Sequence, residues 1–471
     1  MRSDGSDLKL FGTDGIRGEA GRYPLDETTV EMIGRALAVV LADQTGHSSS
    51  ILVGRDTRES GPSIERWLTR GARSAGASVE SAGVLPTPGV AYITRTSGYD
   101  AGVVISASHN PFADNGVKVF SPSGKKLADE SERAIELEVA ALKRGEGKVG
   151  REPGSADSPS NFDRGVRKND SENSHLRCAG RYLEFLLDEV ADGLSLEGMR
   201  LAVDCANGAA SEIGPALFQR LGADVVVVAA SPNGRNINEG CGSTHPERLE
   251  QIVVEKNLDL GIALDGDADR ALFVDETGFL VDGDHVLLMM AEHLRARDEL
   301  EGNVVVATLM SNVGLEIALK QRGITTVRTE VGDRYVLEEL LSRGARLGGE
   351  QSGHIIFPAI SLAGDGLITS IEVMRVLRDS HRTLSQHASD LTTYPQVLLN
   401  VGVRSKPPIE GLPDVQREIE RVESELLGQG RLNVRYSGTQ PLARVMIEGK
   451  DKDEITRQAQ RIAAAITRSI G

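Results

Sequence analysis

Three times along this chain one pattern returns: a short apolar run, a polar loop, a helical stretch closing near a glycine, and a second apolar run. Ile51, Leu52 and Val53 lead through Gly76 to Val84; Leu201, Ala202 and Val203 lead through Gly222 to the run Val225 to Val228; Val304, Val305 and Val306 lead through Gly323 to Val327. Continuous β-branched runs mark strands buried on both faces, and strands joined by helices lie parallel in one sheet. The recurrence predicts three related mixed α/β domains with largely parallel sheets. At 471 residues the chain is also too long for these cores alone, since domains average about 150 residues. A smaller C-terminal α+β domain completes it, with strands in LLNVGV (398–403) and LNVRYSGTQPLARVMIEG (432–449) and a helix from about Asp453. Ile455, Ala459, Ile462, Ala463 and Ile466 form that helix's apolar stripe. The predicted boundaries are 1–150, 178–280, 281–390 and 391–471, arranged around a central cleft, with residues 151–177 a polar, turn-rich surface insertion or linker.

Each repeat continues into a loop that carries chemistry: VVISASHNP (103–111), IALDGDADR (262–270) and GGEQSGHII (348–356). Open α/β sheets bind ligands beyond the carboxyl ends of their strands, so three related domains can direct three such loops into one cleft. The first loop offers a nucleophilic serine. In the second, Asp265, Asp267 and Asp269 alternate, so a folded loop turns several carboxylate oxygens toward one hard divalent cation. A calcium-binding helix-loop-helix also begins D-x-D-x-D, and Glu276 falls at its twelfth position. Its sixth position requires a glycine; here it is Arg270, followed by the apolar strand ALFVD (271–275). Serine plus carboxylate cage reads instead as metal-assisted phosphoryl transfer.

Net charge is −16, from 69 acidic and 53 basic residues, which opposes non-specific attraction to nucleic acid or anionic lipid. Anionic substrates must then meet a local basic patch. Cys178, Cys205 and Cys241 are odd in number, widely spaced and free of any CxxC or Cys/His cluster, which excludes structural zinc and a disulfide framework and predicts reduced, buried thiols. The N-terminal stretch lacks the apolar core of a signal peptide and no run is long enough to span a bilayer, so a cytoplasmic protein is expected, with no membrane or nucleic-acid partner. A homodimer is the common state of soluble proteins and stands as an expectation.

FGTDGIRG (11–18), GRDTR (54–58), ISASHNPFADNGVK (105–118), CGSTHPE (241–247), LDGDADR, TLMSNVGLE (308–316), VGDRYV (331–336), GGEQSGH and RYSGTQPLARVMIEG occur in one order along the chain. In that order they resemble the α-D-phosphohexomutases over nearly the whole length, and the CGSTHPE, TLMSNVGLE and VGDRYV segments with Gln351 are similar to the glucosamine subgroup. The resemblance implies interconversion of glucosamine 6-phosphate and glucosamine 1-phosphate through a phosphoserine enzyme and glucosamine 1,6-bisphosphate, feeding UDP-N-acetylglucosamine synthesis. Phosphoglucomutase or phosphomannomutase activity is the alternative, and a non-catalytic phosphosugar-binding regulator the reading from another class. Implied cofactors are one Mg²⁺ per chain and a hexose 1,6-bisphosphate as activator and intermediate.

The same resemblance implies that Ser108, rather than Ser106, carries the phosphate, and that Ser108, Asp265, Asp267 and Asp269 bind the metal. Ser106 is left as a loop-shaping hydroxyl. Glu350 and Ser352 are implied to bind sugar hydroxyls, Arg270 and Arg334 to bind substrate, and Arg435, Ser437, Gly438, Thr439 and Arg444 to clamp the phosphate that does not react. Gln440 stands where the family usually has Glu and is left out. Lys118, Arg17 and the Asp333–Arg334 pair are the candidates for proton transfer, with Arg17 better suited to binding phosphate because arginine is a poor base. His354 reads as a loop-orienting or core-filling residue beneath Ile355 and Ile356.

Overall fold

The computed structural model describes residues 9–12, 14–148, 168–426, 428–437 and 441–471. They form two compact units, one from Met1–Leu309 with Arg328–His387, the other from Met310–Val327 with Ala388–Gly471.

In the first unit lie two sheets and three strands of a third. The first contains β1 (Ile16–Glu19), β2 (Ser50–Arg55), β3 (Ser78–Val84), β4 (Ala101–Ile105) and β5 (Asp114–Phe120) in the order β1-β5-β4-β2-β3. The second repeats it with β6 (Arg200–Asp204), β7 (Asp224–Val228), β8 (Leu260–Leu264), β9 (Ala271–Asp275) and β10 (Leu280–Val281), ordered β10-β9-β8-β6-β7. A third has β11 (Val304–Thr308), β12 (Thr325–Thr329), β13 (Gly348–Gly349) and β14 (Ile355–Ile356), ordered β12-β11-β13-β14. All six predicted apolar runs are strands. Each sheet combines parallel and antiparallel pairing: β4, β8 and β13 each run parallel to a neighbour and then turn back into an antiparallel partner. Apolar runs report burial, not pairing direction, and the returning strands β5 and β9 are as buried as the parallel ones. The turns β4–β5, β8–β9 and β13–β14 are the three loops singled out in the sequence, so each sheet presents its loop at the same topological point.

Helix Glu27–Thr45 begins where Asp26 accepts a hydrogen bond from Thr29 N at 3.0 Å and stops at Gly46, whose φ of 82° only glycine adopts cheaply. It crosses helix Gly61–Ser74 at two reciprocal glycines. A Cβ on Gly34 would lie 2.1 Å from Leu68 O, and one on Gly71 would lie 1.9 Å from Glu31 O. The two backbones therefore touch, and Ile33, Leu37, Ile64 and Leu68 close fully around the crossing. Gly71→Ala is expected to lower stability by about 3 kcal/mol, because relief requires moving a helix rather than a side chain. A shift in urea midpoint with an unchanged slope would register it; a midpoint equal to that of the unaltered protein would refute the account.

Helix Lys168–Glu184 takes in the last ten residues of the predicted 151–177 insertion, and 151–167 lie outside the described residues. Its first turns carry no apolar pattern; its hold on the fold comes later, through buried Cys178 and Tyr182. Tyr182 donates at 2.7 Å to Asp365, which also caps helix Gly366–Ser380 by accepting from Leu367 N and Ile368 N. Burial pushes the Asp365 carboxyl up to about 6 despite these donors. The folded state thus holds a proton that the unfolded chain, titrating near 3.9, has released. That contribution is fully present below about pH 4 and is lost as pH rises through 6, at most about 3 kcal/mol in all. Asp365→Asn should flatten the stability curve over this window, seen as a difference between the two proteins that changes from pH 4.5 to 7; a pH-independent difference would refute it.

In the second unit, β15 (Gln396–Gly402), β16 (Arg431–Tyr436) and β17 (Leu442–Glu448) form an antiparallel sheet ordered β15-β17-β16, covered by helices Pro413–Leu426 and Lys452–Ile470. The last helix buries Ile455, Ala459, Ile462 and Ile466 as the periodicity requires; Ala463 is only partly covered, and Gln458 and Ala465 are buried in addition. Cys178, Cys205 and Cys241 are free and buried. Among the described residues no helix is long and apolar enough to cross a membrane.

Candidate active site

Ser108 sits just past β4 at a φ of 51° and is 1% exposed. A left-handed serine needs its surroundings to hold it, and they do so through its backbone. Its N–H donates to Ser106 Oγ at 2.9 Å, and Ser106 in turn donates to Asp56 at 2.7 Å. Asp56 pairs at 2.9 Å with Arg58, a guanidinium with no exposure at all. Arg58 then donates to the carbonyls of Ser108, Asn110 and Pro111, and Asn238 adds a second amide donor to the first two. The GRDTR segment is thus a clamp on the serine loop. Sequence reasoning quoted that motif without giving it a task, and missed Asn238, which lies in the second sheet's domain.

That clamp leaves the Ser108 hydroxyl free to donate to Asp265. The loops meet because residue 266 is glycine: a Cβ there would lie 2.6 Å from Ser108 O. Asp265, Asp267 and Asp269 are all buried, and one oxygen from each lies within 4.8 Å of the others. Burial, then the charges of Asp269 and Asp267, push the Asp265 carboxyl well above its usual range. Thr87 donates to Asp267 at 2.6 Å, while Asp267 Oδ1 and Asp269 Oδ1 are buried without a hydrogen-bond donor. Clustered carboxylates with unsatisfied oxygens fit a hard divalent cation held entirely by oxygen.

Lys118, on β5, is 1% exposed and reaches Asp267 at 2.9 Å, Asp269 at 3.4 Å and Asp14 at 3.6 Å. Burial alone would strip its proton, but the three acids outweigh burial and hold its pKa well above the usual value. It rests as a cation, which disfavours the role of resting general base. Burial also opposes the charge on Asp14, yet Lys118, Lys126 and Arg17 keep that carboxyl far below its normal range. His354 lies with Nδ1 3.7 Å from Asp269 and Nε2 3.7 Å from Asp333. Burial works against its charge as well, and Asp269 and Asp333 raise it to about 9. It is buried as a core filler would be, but it stands between two acids, which periodicity could not reveal.

Glu350 accepts from Gly332 N at 3.1 Å and from Ser352 Oγ at 3.2 Å within the third loop. Arg270 lies 3.7 Å from Asp269, and Arg17 pairs with Asp14 and reaches Asn110 at 3.4 Å. These residues gather near the aspartates or the serine loop. Arg334 lines one cavity with Lys118, Asp269, Asp333 and His354, and its guanidinium pairs with Asp129, with Glu338 at 3.0 Å and with Glu132 at 4.0 Å. In the second unit, Arg435 and Arg444 stand directly opposite each other on β16 and β17, where like charges repel unless an anion lies between them. Ser437 follows at the end of β16, its N–H donating to Leu442 O at 2.8 Å. Gly438 and Thr439 lie outside the described residues.

Family models of phosphoglucomutase/phosphomannomutase match the chain in succession: α/β/α domain I over residues 8–146, domain II over 180–278, domain III over 282–394 and the C-terminal domain over 398–465. The phosphoglucosamine mutase of Thermoanaerobacter sp. is 47% identical over 98% of this chain and 99% of its own length, and that of Solibacter usitatus is 48% identical over the same shares. Among solved structures, a phosphoglucomutase/phosphomannomutase family protein from Burkholderia thailandensis superposes with a TM-score of 0.76 at 22% identity, covering 98% of this chain and 97% of that one. N-acetylphosphoglucosamine mutase of Aspergillus fumigatus, in complex with GlcNAc-6P and magnesium, gives 0.62 at 19% identity, covering 99% and 97%.

Proposed function

The chain belongs to the phosphoglucomutase/phosphomannomutase family, and from that premise we propose that it is an intramolecular phosphotransferase interconverting glucosamine 6-phosphate and glucosamine 1-phosphate. The observation that carries this reading is a buried serine hydroxyl donating to one of three clustered aspartates, beside the full-length likeness to phosphoglucosamine mutases. Ser108, as its phosphate ester, gives its phosphoryl group to the free hydroxyl of the sugar phosphate. The product, glucosamine 1,6-bisphosphate, turns over and returns its other phosphoryl group to Ser108, so phosphate is conserved over the cycle. Added hexose 1,6-bisphosphate acts as the activator by phosphorylating Ser108.

Asp265, Asp267, Asp269 and the Ser108 phosphate would hold one Mg²⁺ per chain, which when bound supplies charge neutralisation at the transferring phosphoryl group. Lys118 faces the same group as a fixed cation. It gives up a proton only to an acceptor as basic as the departing serine oxygen, and thereafter can take one back from a sugar hydroxyl. Glu350 and Ser352 offer an acceptor and a short donor to sugar hydroxyls, and Arg270 and Arg17 offer guanidinium donors to phosphate. In the second unit, Arg435, Ser437, Gly438, Thr439 and Arg444 form the anion-binding set, supported by the opposed arginines. Sugar phosphates are retained by membranes, so the reading is of a cytoplasmic enzyme.

³¹P NMR of purified protein with Mg²⁺ and a trace of hexose 1,6-bisphosphate tests this. Glucosamine 6-phosphate should convert faster than glucose 6-phosphate or mannose 6-phosphate. Faster conversion of either of those would overturn the substrate, and no conversion by protein verified as phosphorylated would overturn the enzyme.

A further inference from the structure

Six side chains beside the serine loop close into a ring in which acids alternate with the basic groups Lys118, Lys126 and His354. Lys118 lies 3.6 Å from Asp14; Asp14 pairs with Lys126; Lys126 lies 2.8 Å from Asp333; Asp333 lies 3.7 Å from His354; His354 lies 3.7 Å from Asp269; and Asp269 returns to Lys118 at 3.4 Å. The side chains are between 1% and 29% exposed, so these contacts are only weakly screened by solvent. Residues 14, 118 and 126 come from the domain I range, 269 from domain II, and 333 and 354 from domain III. Five of the six also line a cavity of about 200 Å³. Gly364 borders it too, and a Cβ there would stand 2.2 Å from His354 Nε2.

Lys126 has no place in the phosphoryl-transfer scheme above, yet among the described residues it is the one cation that joins Asp14 to Asp333. We propose that Lys126 is a positioning residue of the phosphomutase reaction, and the proposal rests on that reading of the site. Its ammonium holds Asp14 against Lys118 on one side and Asp333 against His354 on the other. Both arms end on Asp269. Without Lys126, Asp14 and Asp333 face each other across a gap as two partly buried acids and repel; each swings away, and Lys118 and His354 follow the partners they have left. Lys126 itself need touch neither sugar nor phosphate.

The test compares Lys126→Met with Lys126→Arg in glucosamine 6-phosphate turnover, each scaled to the fraction of protein that accepts phosphate on Ser108 from hexose 1,6-bisphosphate. Lys126→Met should lose roughly 10- to 100-fold in kcat while KM stays within about threefold, since the transition state and not ground-state binding is misaligned. Lys126→Arg should recover most of that loss, because the cavity beside it admits the larger cation. Adding Asp333→Asn to Lys126→Met should cost less than Asp333→Asn costs alone, as the two changes break one link. A scaled kcat for Lys126→Met within twofold of the unaltered protein, or a loss carried wholly by KM, overturns the proposal. Should Lys126→Met not fold, Gly364→Ala displaces His354 with no change of charge and must lower the scaled kcat in the same way; an unchanged kcat there overturns it equally. Inactivity of the unaltered protein toward every hexose phosphate would instead defeat the reading on which the proposal stands.

Discussion

Ser108→Ala should fold normally and lose turnover by roughly a million-fold, the scale seen when a covalent nucleophile is removed outright. The expectation that it folds comes from how the loop is held. Arg58 and Asn238 grip the carbonyl of residue 108, and Ser106 grips its N–H, so alanine keeps every contact that sets the backbone. What is lost is the hydroxyl's donation to Asp265 and its long contact with His109 Nδ1 at 3.4 Å. That loss is mild in the metal-free protein, because burial and the neighbouring aspartates already favour the uncharged form of Asp265, and no bare charge is left behind. The expectation of lost turnover comes from the lack of a substitute. Ser106 Oγ is committed between Asp56 and the amide of residue 108, so it does not stand in as the acceptor. Single-turnover labelling with hexose 1,6-bisphosphate should put no phosphate on the variant, while unfolding midpoints stay near those of the unaltered chain. Residual turnover above about 1% would mean that phosphate passes by another route, since loss of the covalent group leaves only positioning and electrostatics to act.

Much of this architecture can be read from the chain because its signals are local. Apolar runs and glycine stops over 51–84, 201–228 and 304–327 became strands in matching positions in three sheets, and the three singled-out loops became the three turns that follow β4, β8 and β13. Alternation of Asp265, Asp267 and Asp269 within one tight loop is equally local, and their oxygens do converge. What was not legible depends on residues far apart in sequence. Lys126 sits in an unremarkable GKKL, and nothing near it announces Asp333, 207 residues on. His354 has the burial of a core residue and the acidic neighbours of a site residue, and only the positions of Asp269 and Asp333 reveal the second. Arg334 was implied to bind substrate, and nothing near it in sequence announces the acids that pair with it, Asp129 and Glu132, on a helix of another domain. Helix Lys168–Glu184 was hidden for a different reason: its opening turns have the composition of a loop, and the buried side chains that anchor it come only near its end.

Lys118→Met carries the second large effect, and it separates two roles that the wild-type residue combines. In the metal-free protein Lys118 is the nearest cation to Asp267 and also serves Asp269 and Asp14. Methionine matches its length and suits a fully buried position, so packing changes little; the loss is electrostatic. Removing one partner of a buried ionic network costs about 3–5 kcal/mol, because the acids left behind are neither hydrated nor neutralised. Urea unfolding in EDTA should show a loss of that size. Added Mg²⁺ should then recover more stability in the variant than in the unaltered chain: three aspartates freed of a competing ammonium attract the cation more strongly, and a ligand that binds only the folded state stabilises it in proportion to its affinity. Turnover should not follow. A cation at the aspartates restores the charge balance of the loop but not the ammonium, which in the proposed reaction faces the transferring phosphoryl group and gives a proton to the departing serine oxygen. The variant should therefore be stable and phosphate-accepting in Mg²⁺ yet at least about 100-fold slower in turnover, the usual range for loss of an acid–base or electrostatic group. Equal stability losses in EDTA and in saturating Mg²⁺ would show that Lys118 and the cation do not share the aspartates, and full activity in Mg²⁺ would reduce Lys118 to a structural counter-ion.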